Sequence, residues 1–161
     1  MMENRSTRDF LRHTVATVAY RGAKAIANAP EGFGDFKSFE TTRTPLEILA
    51  HIGDLFDWAL SMAIGQTVWK TAKPLAWEQE SERFFAAVKK FDDHLASDAP
   101  VASPLEKLFQ GPVADALTHV GQLNLLRRMF ESPVRGENYF KAEIEIGRVG
   151  AEQSARRLEF D

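Results

Sequence analysis

Two histidines and one aspartate have the residue types and spacing to do chemistry. The 161-residue chain holds four histidines and no cysteine. That excludes disulfides, thiolate zinc sites, cysteine-ligated iron–sulfur clusters and cysteine nucleophiles. A reaction would have to use His, Asp, Glu, Ser or a bound metal. Asp115 and His119 stand four residues apart on an amphipathic segment. With Ala116 set at zero on a helical wheel, His119 falls at about −60°, inside the arc of Val120, Leu123 and Phe130. Asp115 and Gln122 flank it at about −100° and −120°. Such an i, i+4 pair lets one helix supply two bonds to one metal. On a separate segment, with Ile52 at zero, His51 lies at about −100°, on the edge of the buried arc; Trp58 and Asp54 follow at about −120° and −160°. A carboxylate and an imidazole at a packed helix interface cost several kcal/mol unless they are paired or bound to a cation. Together His51, Asp115 and His119 form a His₂Asp set. Three protein ligands and a vacant position suit a catalytic divalent ion. This donor chemistry accepts zinc, nickel, iron or manganese.

Each of these residues also has a plain structural reading. Asp115 occupies the first turn of an expected helix, where the macrodipole alone favours a carboxylate. His119 can be a core histidine bonded to a carbonyl, and His51 a half-exposed boundary residue. Gln122 is placed to orient an imidazole rather than to bind metal. Asp54 is a weaker candidate for the same task at His51, with simple solvent exposure as its other reading. Trp58 lies on the same side of its helix as His51. His13 and His94 read as surface residues. Arg127-Arg128 and Arg156-Arg157 read as solvated basic pairs, and 20 basic against 23 acidic residues give no bulk attraction to nucleic acid. Gly32, Gly34 and Gly150 lack the strand–turn–helix setting of a phosphate loop. Ser103 reads as a helix cap rather than as an activated nucleophile.

The elements that must position these residues are helices. Phe10, Leu11, Val15, Val18, Ala19 and Ile26 recur at helical spacing over Thr7 to Asn28. Residues 29–43 form a connection long enough to serve a function or cover something. Thr44-Pro45-Leu46-Glu47 is a capping box that opens a second helix ending near Gly65. A third helix runs from Trp77 to Ser97. Ser103-Pro104-Leu105-Glu106 repeats the capping signature, and Gly111-Pro112 interrupts the helical segment that it opens. The expectation there is a short turn and then a new helix from Pro112 to Ser132. The fold class is all-α: a four-helix bundle over residues 1–132 as one domain, with an irregular tail, 133–161, packed on it. Tail residues Asn138, Tyr139, Lys141 and Glu143 could fold over the site, or Tyr139 and Phe140 could cover the core or a dimer contact. No run of about 18 apolar residues suggests a membrane span. No secretory signal is visible at the start, so a cytoplasmic location is expected. Leu125 and Met129 hint at a second apolar surface and a homodimer.

The segment Asp115-Ala-Leu-Thr-His-Val-Gly-Gln-Leu-Asn-Leu-Leu-Arg-Arg128 resembles the signature helix of the DinB-like family of bacterial damage-inducible and thiol-transferase-related proteins. Thr44-Pro-Leu-Glu-Ile-Leu-Ala-His-Ile52 resembles that family's other metal helix. The resemblance covers about residues 7 to 132. It implies a bundle of up-down-down-up type with three ligand histidines. His51 matches the first. His119, followed by Gly121-Gln122-Leu123, matches the last. Asp115 stands where the family has its middle histidine. The implied cofactor is a divalent metal, zinc or nickel foremost, then manganese or iron. The ion would lower the pKa of a bound water or thiol. The implied activity is thiol-dependent S-transfer, isomerisation or hydrolysis on a small-molecule substrate such as a low-molecular-weight thiol. The swapped aspartate supports the rival reading, a non-catalytic stress-related binding or dimerisation module.

Overall fold

A computed structural model describes residues 2–161. The molecule is predominantly helical, with one two-stranded sheet among the described residues. Helix α1 spans Met2–Ile26, α2 Pro45–Ala63, α3 Trp77–Ala96, α4 Leu105–Leu108 and α5 Ala114–Met129. Strands β1 (Gly136–Glu137) and β2 (Glu159–Phe160) pair antiparallel, Gly136 opposite Phe160. No described helix is long and apolar enough to cross a membrane.

The capping box before α2 forms in full. The Glu47 amide donates to Thr44 Oγ1 at 3.2 Å, and the Thr44 amide donates to Glu47 Oε2 at 2.7 Å. Two amide donors otherwise left open at the helix start are thus satisfied, and α2 starts at a fixed residue. The second expected box does not form. Ser103 Oγ donates instead to the Met62 carbonyl at 3.0 Å, and the Ala102 amide donates to Ala63 O at 2.8 Å. Both bonds pin the start of α4 to the end of α2.

The break expected at Gly111-Pro112 is absent. A π turn over Phe109–Val113 carries α4 into α5 without interruption. Proline has no amide to donate and its ring crowds the carbonyl four residues back. The wider i→i+5 turn absorbs both defects, with the Ala114 amide reaching Phe109 O. The helix then ends at Met129, three residues before Ser132.

The helices pack around one core. Phe33, Phe56, Phe84 and Phe91 are its largest fully buried apolar side chains. Helix α2 packs on α3 and α5, and α1 packs on the other sides of the same two. Near the start of α3, Trp77 meets Gly34 and Phe33 beside Leu46 at the start of α2. Arg12, early in α1, forks onto Asp92, late in α3, through bonds of 2.9 and 3.1 Å. Arg127, late in α5, reaches Ala25 O at the end of α1. Phe10, part of the apolar stripe expected to face inward, is 72% exposed.

Several polar residues are buried against expectation. Arg127 is 5% exposed; its guanidinium also bonds Ala27 O, Asn28 O and Ser132, so it caps the ends of both α1 and α5. His94 is half-buried, and its Nε2 has no hydrogen-bond partner among the described residues. The tail packs on α1. Glu137 accepts from Tyr20 Oη at 2.6 Å and from Lys24 Nζ at 2.9 Å in a buried cluster, and Val149 joins the core. Tyr139 lies edge-on to Tyr20 and under the Arg21 guanidinium. Phe140 does not cover the core: it is 90% exposed.

Candidate metal centre and adjoining cleft

His51 comes from the first half of α2, and Asp115 and His119 from the first half of α5. The two helices pack side by side. One donor atom from each residue lies within 4.8 Å of the other two. His51 Nε2 is 3.8 Å from Asp115 Oδ2, and His119 Nε2 is 3.5 Å from Asp115 Oδ1. The two imidazoles meet edge to face, with centroids 4.7 Å apart. With metal–ligand bonds of about 2.1 Å, tetrahedral donors sit about 3.4 Å apart. The carboxylate–imidazole separations are therefore near those of a coordination sphere and too long for good hydrogen bonds. No Lys or Arg pairs with Asp115 among the described residues. The donor set and its spacing fit a divalent ion.

Local chemistry prepares the imidazoles. Gln122 Oε1 accepts from His119 Nδ1 at 2.7 Å. That bond fixes the tautomer with the proton on Nδ1 and leaves the Nε2 lone pair facing Asp115. His51 has its pKa pushed below the ordinary imidazole value. Burial is the first cause, followed by the charges of His119 and Arg43; together these outweigh Asp115 and Asp54. A neutral imidazole is the form that ligates.

Asp115 sits in the first turn of α5, as expected, but that turn follows directly on the π turn from α4, so the macrodipole of a free helix end bears on it less. His119 is not tied to a carbonyl of the backbone; its Nδ1 is bound to the Gln122 side chain. The His51 side chain is 21% exposed, the His119 side chain 12% and the Asp115 side chain 47%.

Asp54 does neither of the things expected of it. It is 4% exposed and bonds away from His51, taking Arg83 at 3.1 Å and the Ala72 amide at 3.1 Å. The reason is a neighbour on α3: Arg83 lies against Gly53, where a Cβ would come within 2.8 Å of its Cζ, and also reaches Glu80 and Ala50 O. Asp54 thereby holds the segment between α2 and α3. Trp69 of that segment stands edge-on to His51 at 5.7 Å, and Trp58 stands edge-on to Trp69 at 5.7 Å. Trp58 thus supports the site from one ring away.

A cleft of ≈ 650 Å³ opens beside the two imidazoles. Its apolar wall includes Phe39, Ile48, Leu125 and Met129, and Arg43 lies on its rim. The connection over 29–43 supplies Ser38, Phe39, Thr42 and Arg43, so it covers the site. No residue beyond Met129 lines the cleft, so the tail does not close it. Arg43 escaped sequence reasoning because loop residues carry no periodicity. The length of the 29–43 connection was the one signal that pointed there.

No family model matches the chain, and neither a curated protein nor a solved structure matches it.

Proposed function

We propose that this protein is a divalent-metal enzyme built on a DinB-like four-helix bundle, with His51, Asp115 and His119 as the protein ligands. One observation carries the reading: three donor atoms from two separate helices converge within 4.8 Å beside a ligand-sized apolar cleft. The packing supports the scaffold. Matching ends of α2 and α3 lie together, as do matching ends of α1 and α5, while Arg8, early in α1, donates to Ser97 O just past the end of α3. These placements support an up-down-down-up order.

The chain's own residues have distinct tasks in this scheme. Asp115 supplies negative charge and two oxygens. His51 and His119 supply neutral nitrogens and face the cleft. Gln122 keeps the His119 proton on Nδ1. Trp69 packs edge-on against His51 and is itself backed by Trp58, which helps to hold the imidazole in place. A bound divalent ion would supply Lewis acidity at this point. The reaction class is thiol-dependent S-transfer or hydrolysis of a small molecule. Zinc or nickel suits the donor set first, then manganese or iron.

Elemental analysis after incubation with zinc, nickel or manganese and desalting tests the reading. The expected result is one equivalent in the wild type and under a tenth of that in His119→Ala, with unchanged far-UV circular dichroism. Equal metal content in both proteins would remove the assignment. No metal in the wild type would favour the non-catalytic binding module, for which the aspartate at position 115 is the supporting feature.

A further inference from the structure

The open surface of the cleft is mostly apolar, and several of its polar residues are engaged. Ser38 Oγ and Thr42 Oγ1 bond each other at 3.2 Å, and Gln122 is bound to His119. No carboxylate is among its lining residues. Arg43, the one arginine or lysine of the lining, has no hydrogen-bond or ion-pair partner among the described residues. Phe39, Leu125 and Met129 are 70%, 58% and 44% exposed around the same opening. Large apolar groups left open beside one unpaired guanidinium match a ligand of the inverse kind. The volume falls within the range of about 300–1,000 Å³ usual for small-molecule sites.

We propose that the cleft binds a small amphipathic carboxylate, its apolar body against Phe39, Leu125 and Met129 and its carboxylate on Arg43. The remainder of the ligand then lies toward His51 and His119. Its role as substrate rests on the metal-enzyme reading above; its binding does not. Arg43 is a specificity-determining residue here, since a guanidinium pairs a carboxylate through two parallel bonds and gives a neutral amide much less.

The test is calorimetric titration of octanoate and octanamide into the full chain with EDTA present. EDTA keeps a metal from supplying the anion site. The expected result is one octanoate per chain, bound at least tenfold more tightly than octanamide. Arg43→Gln should erase that preference while changing octanamide binding less than twofold. Leu125→Asp, an exposed position, should abolish binding of both. Equal binding of the two ligands, binding of neither, or a preference that survives Arg43→Gln would overturn the proposal. Metal uptake by the wild type, measured separately without EDTA, distinguishes the two readings. A protein that takes up metal yet does not discriminate the ligands sinks this proposal alone. One that discriminates them yet takes up no metal sinks the metal reading alone.

Discussion

Gln122 shows how one amide governs what an imidazole can do. Its oxygen accepts from His119 Nδ1, so the other ring nitrogen is the one presented to Asp115. Replacing it with leucine keeps the volume and removes the acceptor. Gln122→Leu should weaken zinc affinity about 10- to 100-fold, the usual scale for losing an outer partner of a ligand histidine. Competition against a chromophoric chelator reads this directly, and an unchanged affinity would mean that His119 is oriented by packing alone. The Asp115/His119 pair was readable from spacing, because i, i+4 partners share a helix face whatever the helix packs against, whereas adding His51 from a second helix drew on the family resemblance. Gln122 was readable for the same reason. Asp54 was not. Its wheel position is right, but the side facing outward from α2 is covered by α3, and Arg83 is drawn in over Gly53. A wheel shows where a residue points, not which neighbour meets it.

At the scale of elements, the start of α2 was the most predictable feature, since its two reciprocal bonds are local and need no tertiary partner. Thr44→Ala removes the side-chain acceptor. It should cost about 1 kcal/mol, read as a lower urea midpoint with unchanged slope. A loss near zero would mean that packing of Pro45 and Ile48 alone fixes the helix start. The same four-residue signature at Ser103 misled because the helix starts one residue later, with Pro104 at the N-cap, and the Ser103 hydroxyl donates to the Met62 carbonyl, brought close only by folding. Gly111-Pro112 misled for a related reason. Local sequence weakens an α-turn there, but it cannot show that a wider turn restores continuity. Arg127 completes the set. A buried cap for two helix ends looks in sequence like half of a basic surface pair.

At the scale of the whole molecule, the tail is held by a buried ionic cluster rather than by apolar area alone. Lys24 Nζ meets Glu137 at 2.9 Å and Glu159 at 2.8 Å, and Tyr20 donates to Glu137. Burial raises the Glu137 pKa, but the bonds from Tyr20, Lys24 and the Arg157 amide outweigh it and hold the carboxyl below its ordinary range. A depressed folded value contributes stability that is fully present above the unfolded value of about 4.3 and is lost as pH falls through the folded one. Glu137→Gln should therefore lower stability by about 3 kcal/mol at pH 7, and the gap to the wild type should narrow as the pH drops below about 4. Urea melts at pH 7, 5 and 3.5 check the sign; a gap independent of pH would exclude the carboxylate charge as its source. This cluster could not be read from sequence, since Tyr20 and Glu137 stand 117 residues apart. The π turn has a comparable long-range consequence. The chain is clamped on one side of it by Ala102 and Ser103 on the end of α2, and on the other by Arg127 at the far end of α5. The five residues between work as a phase adjuster, matching two fixed rotations that an ordinary helix would bring out of step. Shortening Phe109–Val113 by one residue would swing the Asp115–His119 row by about 100° or tear one clamp loose. The spacing of the chain at this point is thus bound to the aim of the site, even though no residue of the turn is among the proposed ligands.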